Sequence, residues 1–242
     1  MSKSNISKVI SKETITRLIR DVKSIMKNPL NDNGIYYSHH ESNILKGYAM
    51  IVGPQDTPYF GGYYLFEFDY PEDYPYSPPK VTYCTNGDNI RFNPNLYKCG
   101  KVCISLLNTW RGDQWTSCQT ISSILLTLCT ILNESPLLNE PGVTSGHKDF
   151  KNYHRIIQYK NIQIALLDIV NKKDGIYLDR FEIFYNDMKE LFLSNQQKIL
   201  AILDKHKEDD VETIATNFYS MNAVIDYNKL RDYFVKTLKK MK

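Results

Sequence analysis

Arg91-Phe92-Asn93-Pro94-Asn95-Leu96-Tyr97-Lys98-Cys99-Gly100-Lys101-Val102-Cys103-Ile104-Ser105-Leu106-Leu107-Asn108-Thr109-Trp110-Arg111-Gly112-Asp113-Gln114-Trp115 is the stretch from which the rest of the chain can be read. Proline and glycine break it too often for a helix, and it is too long for a simple turn. A loop of this length inside a compact domain is usually functional. It carries a cysteine, Cys103, eight residues after Asn95. A thiol nucleophile needs a neighbour that stabilises the charge it creates, and a side-chain amide is a suitable donor for a developing oxyanion.

The 242 residues suffice for one domain of about 150 residues with an extension, or for two small domains. With 42% hydrophobic residues, a packed core is expected and disorder is not. The net charge of +3 is too small to argue for nucleic acid. The five cysteines stand at 84, 99, 103, 118 and 129, with no C-x-x-C pair. Neither a metal site nor a secreted disulfide framework is indicated. The polar start Met1–Asn5 has no apolar run behind it, so no signal peptide and no membrane span are expected. The expected compartment is reducing, cytoplasm or nucleus, where a reactive thiol survives.

Ahead of the central stretch, residues 11–27 read as an amphipathic helix through Ile15, Leu18, Ile19, Val22 and Ile25, with Pro29 beyond its end. The positions between them hold Arg17, Arg20 and several lysines, a solvated face or a docking face for an acidic partner. Strand-like segments follow at 34–40 and 44–53. Tyr64, Phe66, Phe68 and Tyr70 then alternate with polar or smaller neighbours, a strand with one buried face, and residues 80–84 return to strand. Tyr74-Pro75-Tyr76-Ser77-Pro78-Pro79 cannot be central sheet, because proline lacks the donor. After Trp115, an apolar helix over 117–133 and another over 148–171 are expected. Beyond the turn Lys172-Lys173-Asp174-Gly175, a long helix over 177–205, a charged break and a final helix over 226–241 make a helical extension.

The order Gly53-Pro54, Thr57-Pro58-Tyr59, Gly61-Gly62, Tyr74-Pro75-x-x-Pro78-Pro79, Asn93-Pro94-Asn95, Cys103, Trp115 resembles the ubiquitin-conjugating enzyme family over about residues 11–170. Within that family it is most similar to the Z-type branch. The features that carry this are Asn93 where the family usually has His, the insertion Arg111-Gly112-Asp113-Gln114 before Trp115, and Asn139-Glu140-Pro141-Gly142. The resemblance implies an α+β fold, a four-stranded antiparallel meander flanked by helices. Residues 11–170 would form the conjugating core and 171–242 a C-terminal helical extension.

The resemblance also implies a transferase. Ubiquitin would pass from an activating enzyme to the sulfur of Cys103 as a thioester, then to a lysine or to a ligase cysteine. The implied partners are ubiquitin, the activating enzyme, a ligase and a protein substrate, with no nucleic acid and no membrane. No cofactor and no metal are implied, since the activating enzyme consumes the ATP. Asn95 would donate to the oxyanion or hold the loop in shape, against the plain reading of a turn residue after Pro94. Asn93, Pro94, Gly100 and Trp115 would be scaffold. Ligase or activating-enzyme docking would map to Arg17 and Arg20, to Tyr76, and to Ser117 with Cys118. Ser105 stands two residues past the nucleophile, where many members have an acid. Glu140 is the candidate for that acid, against the plain reading of a solvated loop carboxylate.

Three other readings stay open. One is a conjugating enzyme for another ubiquitin-like modifier, and one is a non-catalytic adapter of the same fold. The third, a cysteine protease, is poorly supported, because His39, His40, His147, His154 and His206 have no motif context as a general base. Cys99 is the rival nucleophile, sharing the loop. In the extension, Phe181, Phe184, Met188, Leu191 and Phe192 form an apolar stripe that packs on the core or covers a partner. In the second case a chain ending near Asn171 stays soluble and loads Cys103.

Overall fold

The computed structural model describes residues 10–242. The polar start Met1–Asn5 lies outside the described residues. Helix α1 (Lys12–Lys27) begins where Ser11 caps it, its hydroxyl accepting from Thr14 N at 3.0 Å. Leu18 and Ile25 turn inward, whereas Ile19 is 43% exposed. Four strands follow, β1 (Ile35–His39), β2 (Lys46–Val52), β3 (Tyr63–Asp69) and β4 (Lys80–Tyr83). They pair antiparallel in chain order, the expected meander. Helix α2 (Ile121–Thr130) is capped by a reciprocal Thr120–Ser123 box and lies against α1, β1 and β2.

Helix α3 (Phe150–Lys160) continues as a π-helical stretch, Asn161–Asp168. At the junction, buried Asn161 donates to Phe60 O at 2.9 Å and accepts from Tyr64 Oη at 2.7 Å. Gly62 makes this approach possible, since a Cβ there would lie 1.9 Å from Asn161 Oδ1. Among the described residues no helix is long and apolar enough to cross a membrane.

The C-terminal segment carries the two expected helices. A 3-10 turn, Asp179–Phe184, leads into α4 (Tyr185–Asp204), and α5 (Tyr227–Met241) closes the chain after its cap Asp226. Between them lies an element the sequence reading did not foresee. Strands β5 (Glu212–Thr216) and β6 (Met221–Ile225) form a hairpin packed on α3. Its buried residues alternate as in a one-sided ribbon: Ile214 and Thr216, then Met221, Ala223 and Ile225.

The sheet is buried on both faces. Tyr64, Phe66 and Phe68 point to the expected core, where Tyr64 meets the Phe92 ring edge-on at 5.9 Å. The other face is covered where Met50, Tyr63 and Leu65 lie, because the C-terminal segment packs there, while Lys46 and Asp69 at its end reach solvent. Tyr63 Oη donates to Met188 O at 2.6 Å, Phe181 meets the Tyr48 ring at 5.7 Å, and Arg180 pairs with Glu67 at 3.1 Å. Phe181, Phe184, Met188 and Phe192 are therefore core residues. Leu191 is half-buried at the rim of the stripe.

A chain ending at Asn171 uncovers Tyr63, Leu65 and the rest of that face and is expected to aggregate. In the full chain, Phe192→Asp replaces a fully buried ring with a charge. It should cost about 4 kcal/mol or more, roughly 10 °C in Tm. Leu191→Asp should cost distinctly less. Thermal melts of the two variants check the order, and a soluble, monodisperse truncated chain would reverse the assignment.

Candidate active site

The strap from Asn93 to Cys103 is folded on itself by its own backbone. Tyr97 N donates to Lys101 O, and Gly100 N donates to Tyr97 O, each at 2.9 Å. Gly100 has φ +87°, and a Cβ there would press on Thr82 Cγ2 and Tyr83 O at 3.0 and 3.1 Å. Glycine is required on both counts. At the open end of the strap, Cys103 N donates to Asn95 O at 2.9 Å. Asn95 Nδ2 returns the bond to Cys103 O at 2.6 Å. Asn95 thus grips the backbone of the candidate nucleophile, while its Oδ1 is buried and has no hydrogen-bond partner.

Asn93 is fully buried and makes four bonds. Its amide donates to Tyr59 Oη at 2.8 Å and to Ile131 O at 2.7 Å. Its carbonyl accepts from Asn95 N at 2.9 Å and from Asn139 Nδ2 at 3.3 Å. With buried Pro94 beside it, Asn93 ties the strap to the end of α2.

The Cys103 side chain is 3% exposed, and its thiol donates to Thr109 O at 2.8 Å. Thr109 Oγ1 in turn accepts from Ile104 N and donates to Val102 O. Burial pushes the thiol above its ordinary value, and the nearby Glu140 carboxylate adds to this. The Lys101 and Arg91 cations pull it back without cancelling the rise. A surface groove of about 470 Å³ runs beside the strap, lined by Pro79, Val81, Cys99, Gly100, Val102 and Thr109 among others. Cys99 is exposed in it but has none of the bonds that hold Cys103. Among the described residues, no group of three or more His, Cys, Asp or Glu is placed to hold a metal.

Trp115 is buried against Tyr74, and its indole donates to Pro75 O at 2.7 Å. Arg20 and Tyr76 are 72% and 65% exposed, and Ser117 and Cys118 also face solvent. Arg17 differs from the expectation of a docking side chain. It is 9% exposed, paired with Asp21 at 2.9 Å, and donates to the carbonyls of Ser117 and Gln119. Tyr74 Oη completes the Asp21 carboxylate at 2.6 Å. A buried charge persists only when paired and hydrogen-bonded, and Arg17 satisfies this as a strut between α1 and the segment after Trp115.

Sequence reasoning missed the groups that the hairpin turn brings to the strap. Tyr219 Oη donates to Glu140, and Lys98 Nζ donates to Tyr219 O at 2.9 Å. The Arg91 guanidinium lies between two rings, 3.6 Å from the Tyr97 centroid and 4.3 Å from that of Tyr219. Arg91 also donates to Pro94 O. The period-2 alternation of residues 212–225 was the available signal.

This geometry agrees with the comparisons. The family model of the ubiquitin-conjugating enzymes matches residues 17–165. Ubiquitin-conjugating enzyme E2 Z of Danio rerio is 42% identical over 166 residues, 67% of this chain and 50% of the relative. The Homo sapiens E2 Z is 42% identical over 164 residues, 66% of this chain and 46% of the relative. Probable ubiquitin-conjugating enzyme protein 17 of Caenorhabditis elegans is 33% identical over 215 residues, 84% of this chain and 28% of the relative. The chain spans about half the length of its E2 Z relatives. With a family match over more than half its length, and the Asn-Pro-Asn strap closed on Cys103, the chain belongs to the ubiquitin-conjugating enzyme family, the E2 transferases.

Proposed function

We propose that the chain accepts activated ubiquitin from an activating enzyme as a thioester on Cys103 and passes it to a lysine or to a ligase cysteine. The observation that carries the reading is the Asn95 grip on the Cys103 backbone, at the family position. In loading, Cys103 Sγ bonds to the carbonyl carbon of the incoming thioester, and the activating enzyme's sulfur leaves as thiolate. The step exchanges one C–S bond for another, so little energy is needed and access and deprotonation decide the rate. The raised thiol keeps the resting enzyme protonated. The five unpaired cysteines suit a reducing compartment, cytoplasm or nucleus.

With activating enzyme, ATP and ubiquitin, the chain should form an adduct that a reducing thiol removes. Cys103→Ser should give a reductant-resistant ester, and Cys103→Ala nothing. Loading of Cys103→Ala together with loss in Cys99→Ala would move the reaction to the other sulfur, and a panel of ubiquitin-like modifiers separates ubiquitin from its relatives.

The pH dependence has a definite sign. Thiolate is the reactive form, so a raised thiol reacts more slowly at neutral pH and keeps gaining as pH passes the ordinary 9.0. Peptide-resolved alkylation should place the Cys103 midpoint above the ordinary thiol value. Lys101→Ala, which removes the leading opposing cation, should move it higher still, and an unchanged midpoint would refute that role for Lys101.

For Asn95 the hydrogen bonds suggest a grip in the resting enzyme. Its Nδ2 donates to Cys103 O. Asn95→Ala is expected to load but to discharge to free lysine more slowly, by about 2.7–4 kcal/mol if the amide meets the oxyanion. Single-turnover discharge measures this. Equal slowing of loading and discharge would leave Asn95 a purely structural role.

A further inference from the structure

The C-terminal hairpin lies against the strap that carries Cys103, through Lys98 and the preceding Arg91. Its turn is held there by charge and hydrogen bonding. Asp149 Oδ2 accepts from both Asn217 N and Phe218 N at 2.9 Å, and Lys98 of the strap donates to Tyr219 O. Arg91 N donates to Met221 Sδ at 3.3 Å. Tyr219 itself has φ +62°, in the left-handed region that a bulky side chain rarely adopts. Such a conformation persists where the surroundings fix it, and it commonly marks a functional position. What it achieves is to aim the phenol at Glu140, whose carboxylate is close enough to Cys103 to raise its thiol.

We propose that Tyr219 is a positioning residue for the discharge step, holding the Glu140 carboxylate toward the Cys103 thioester so that it orients the incoming lysine amine. The proposal rests on the thioester reading of Cys103. In discharge, the amine nitrogen bonds to the thioester carbonyl carbon and sheds a proton. The C–S bond breaks, and Cys103 Sγ leaves as thiolate and is reprotonated. A carboxylate that accepts a hydrogen from the attacking amine favours the productive approach, provided it is held still. Unanchored, Glu140 belongs to a half-buried loop with several rotamers. The phenol hydroxyl removes that freedom, and burial together with the carboxylate keeps the phenol protonated as the donor. Tyr219 therefore acts through Glu140, and its ring caps Arg91 over the strap.

The test is a double-mutant cycle in the full chain with Tyr219→Phe, Glu140→Gln and the pair. Each protein is loaded with ubiquitin, and discharge is followed against free lysine concentration and, separately, against water. All three variants are expected to load, and Glu140→Gln, which removes a carboxylate that raises the thiol, no more slowly than wild type. Each single change should slow lysine discharge roughly three- to tenfold, with no further loss in the pair, because the two groups act as one unit. Hydrolysis of the thioester should be unchanged, which a general loosening of the site would not leave so. Tyr219→Phe discharging at the wild-type rate, or losses that multiply in the pair, would overturn the proposal. If Tyr219→Phe lowers Tm, Glu140→Gln alone decides, since it leaves the turn intact: discharge at the wild-type rate again overturns it. A wild-type chain that never loads would sink the thioester reading and this proposal with it.

Discussion

The buried side chain of Asn93 is the constraint on which the site depends. One amide joins the strap, the end of α2, the Tyr59 hydroxyl and the Asn139 loop, using both of its donors and its acceptor. A buried amide left without partners costs about 1–3 kcal/mol, so each of these segments is held where the amide can reach it. The Asn95 backbone is fixed by Asn93 Oδ1, and the Asn95 side chain then fixes Cys103. The Cys103 backbone is held by this relay of hydrogen bonds, which starts from the buried Asn93.

Electrostatics at the sulfur are a contest that burial wins. Lys101 and Arg91 favour the thiolate, and Glu140 opposes it. Arg91 is also held off, since its charge is spread between two tyrosine rings and the Pro94 carbonyl. The resting thiol is thus quiet. That suits the proposed carrier role, in which the sulfur reacts with one delivered thioester and not with every oxidant or electrophile it meets.

The helix over 11–27, the meander and the thiol-bearing strap were legible because each has a strong local signature: helical spacing, period-2 alternation, and Pro-Asn-Gly punctuation. What stayed hidden was long-range. Arg17 looks like any surface arginine until Asp21, Tyr74 and two carbonyls close around it. Tyr63 and Leu65 fall on the strand face that alternation assigns to solvent, and only a segment more than a hundred residues away buries them. The hairpin had a signal of its own, but a short strand pair between a charged run and a helix is easily absorbed into its neighbours. Tyr219 could be valued only after the turn was seen to reach Glu140.

Burial of the sheet on both sides changes how this sequence is free to vary. On an open antiparallel sheet, every second strand position faces water and accepts polar replacements. Here Met50, Tyr63 and Leu65 are as closed as Ile51, Tyr64 and Phe66. Tolerance to drift is displaced outward, to exposed positions such as Ile183 and Val224. A change on the outer strand face can be absorbed only by a matching change in Phe181 or Met188, so the two halves of the chain are bound to evolve in step.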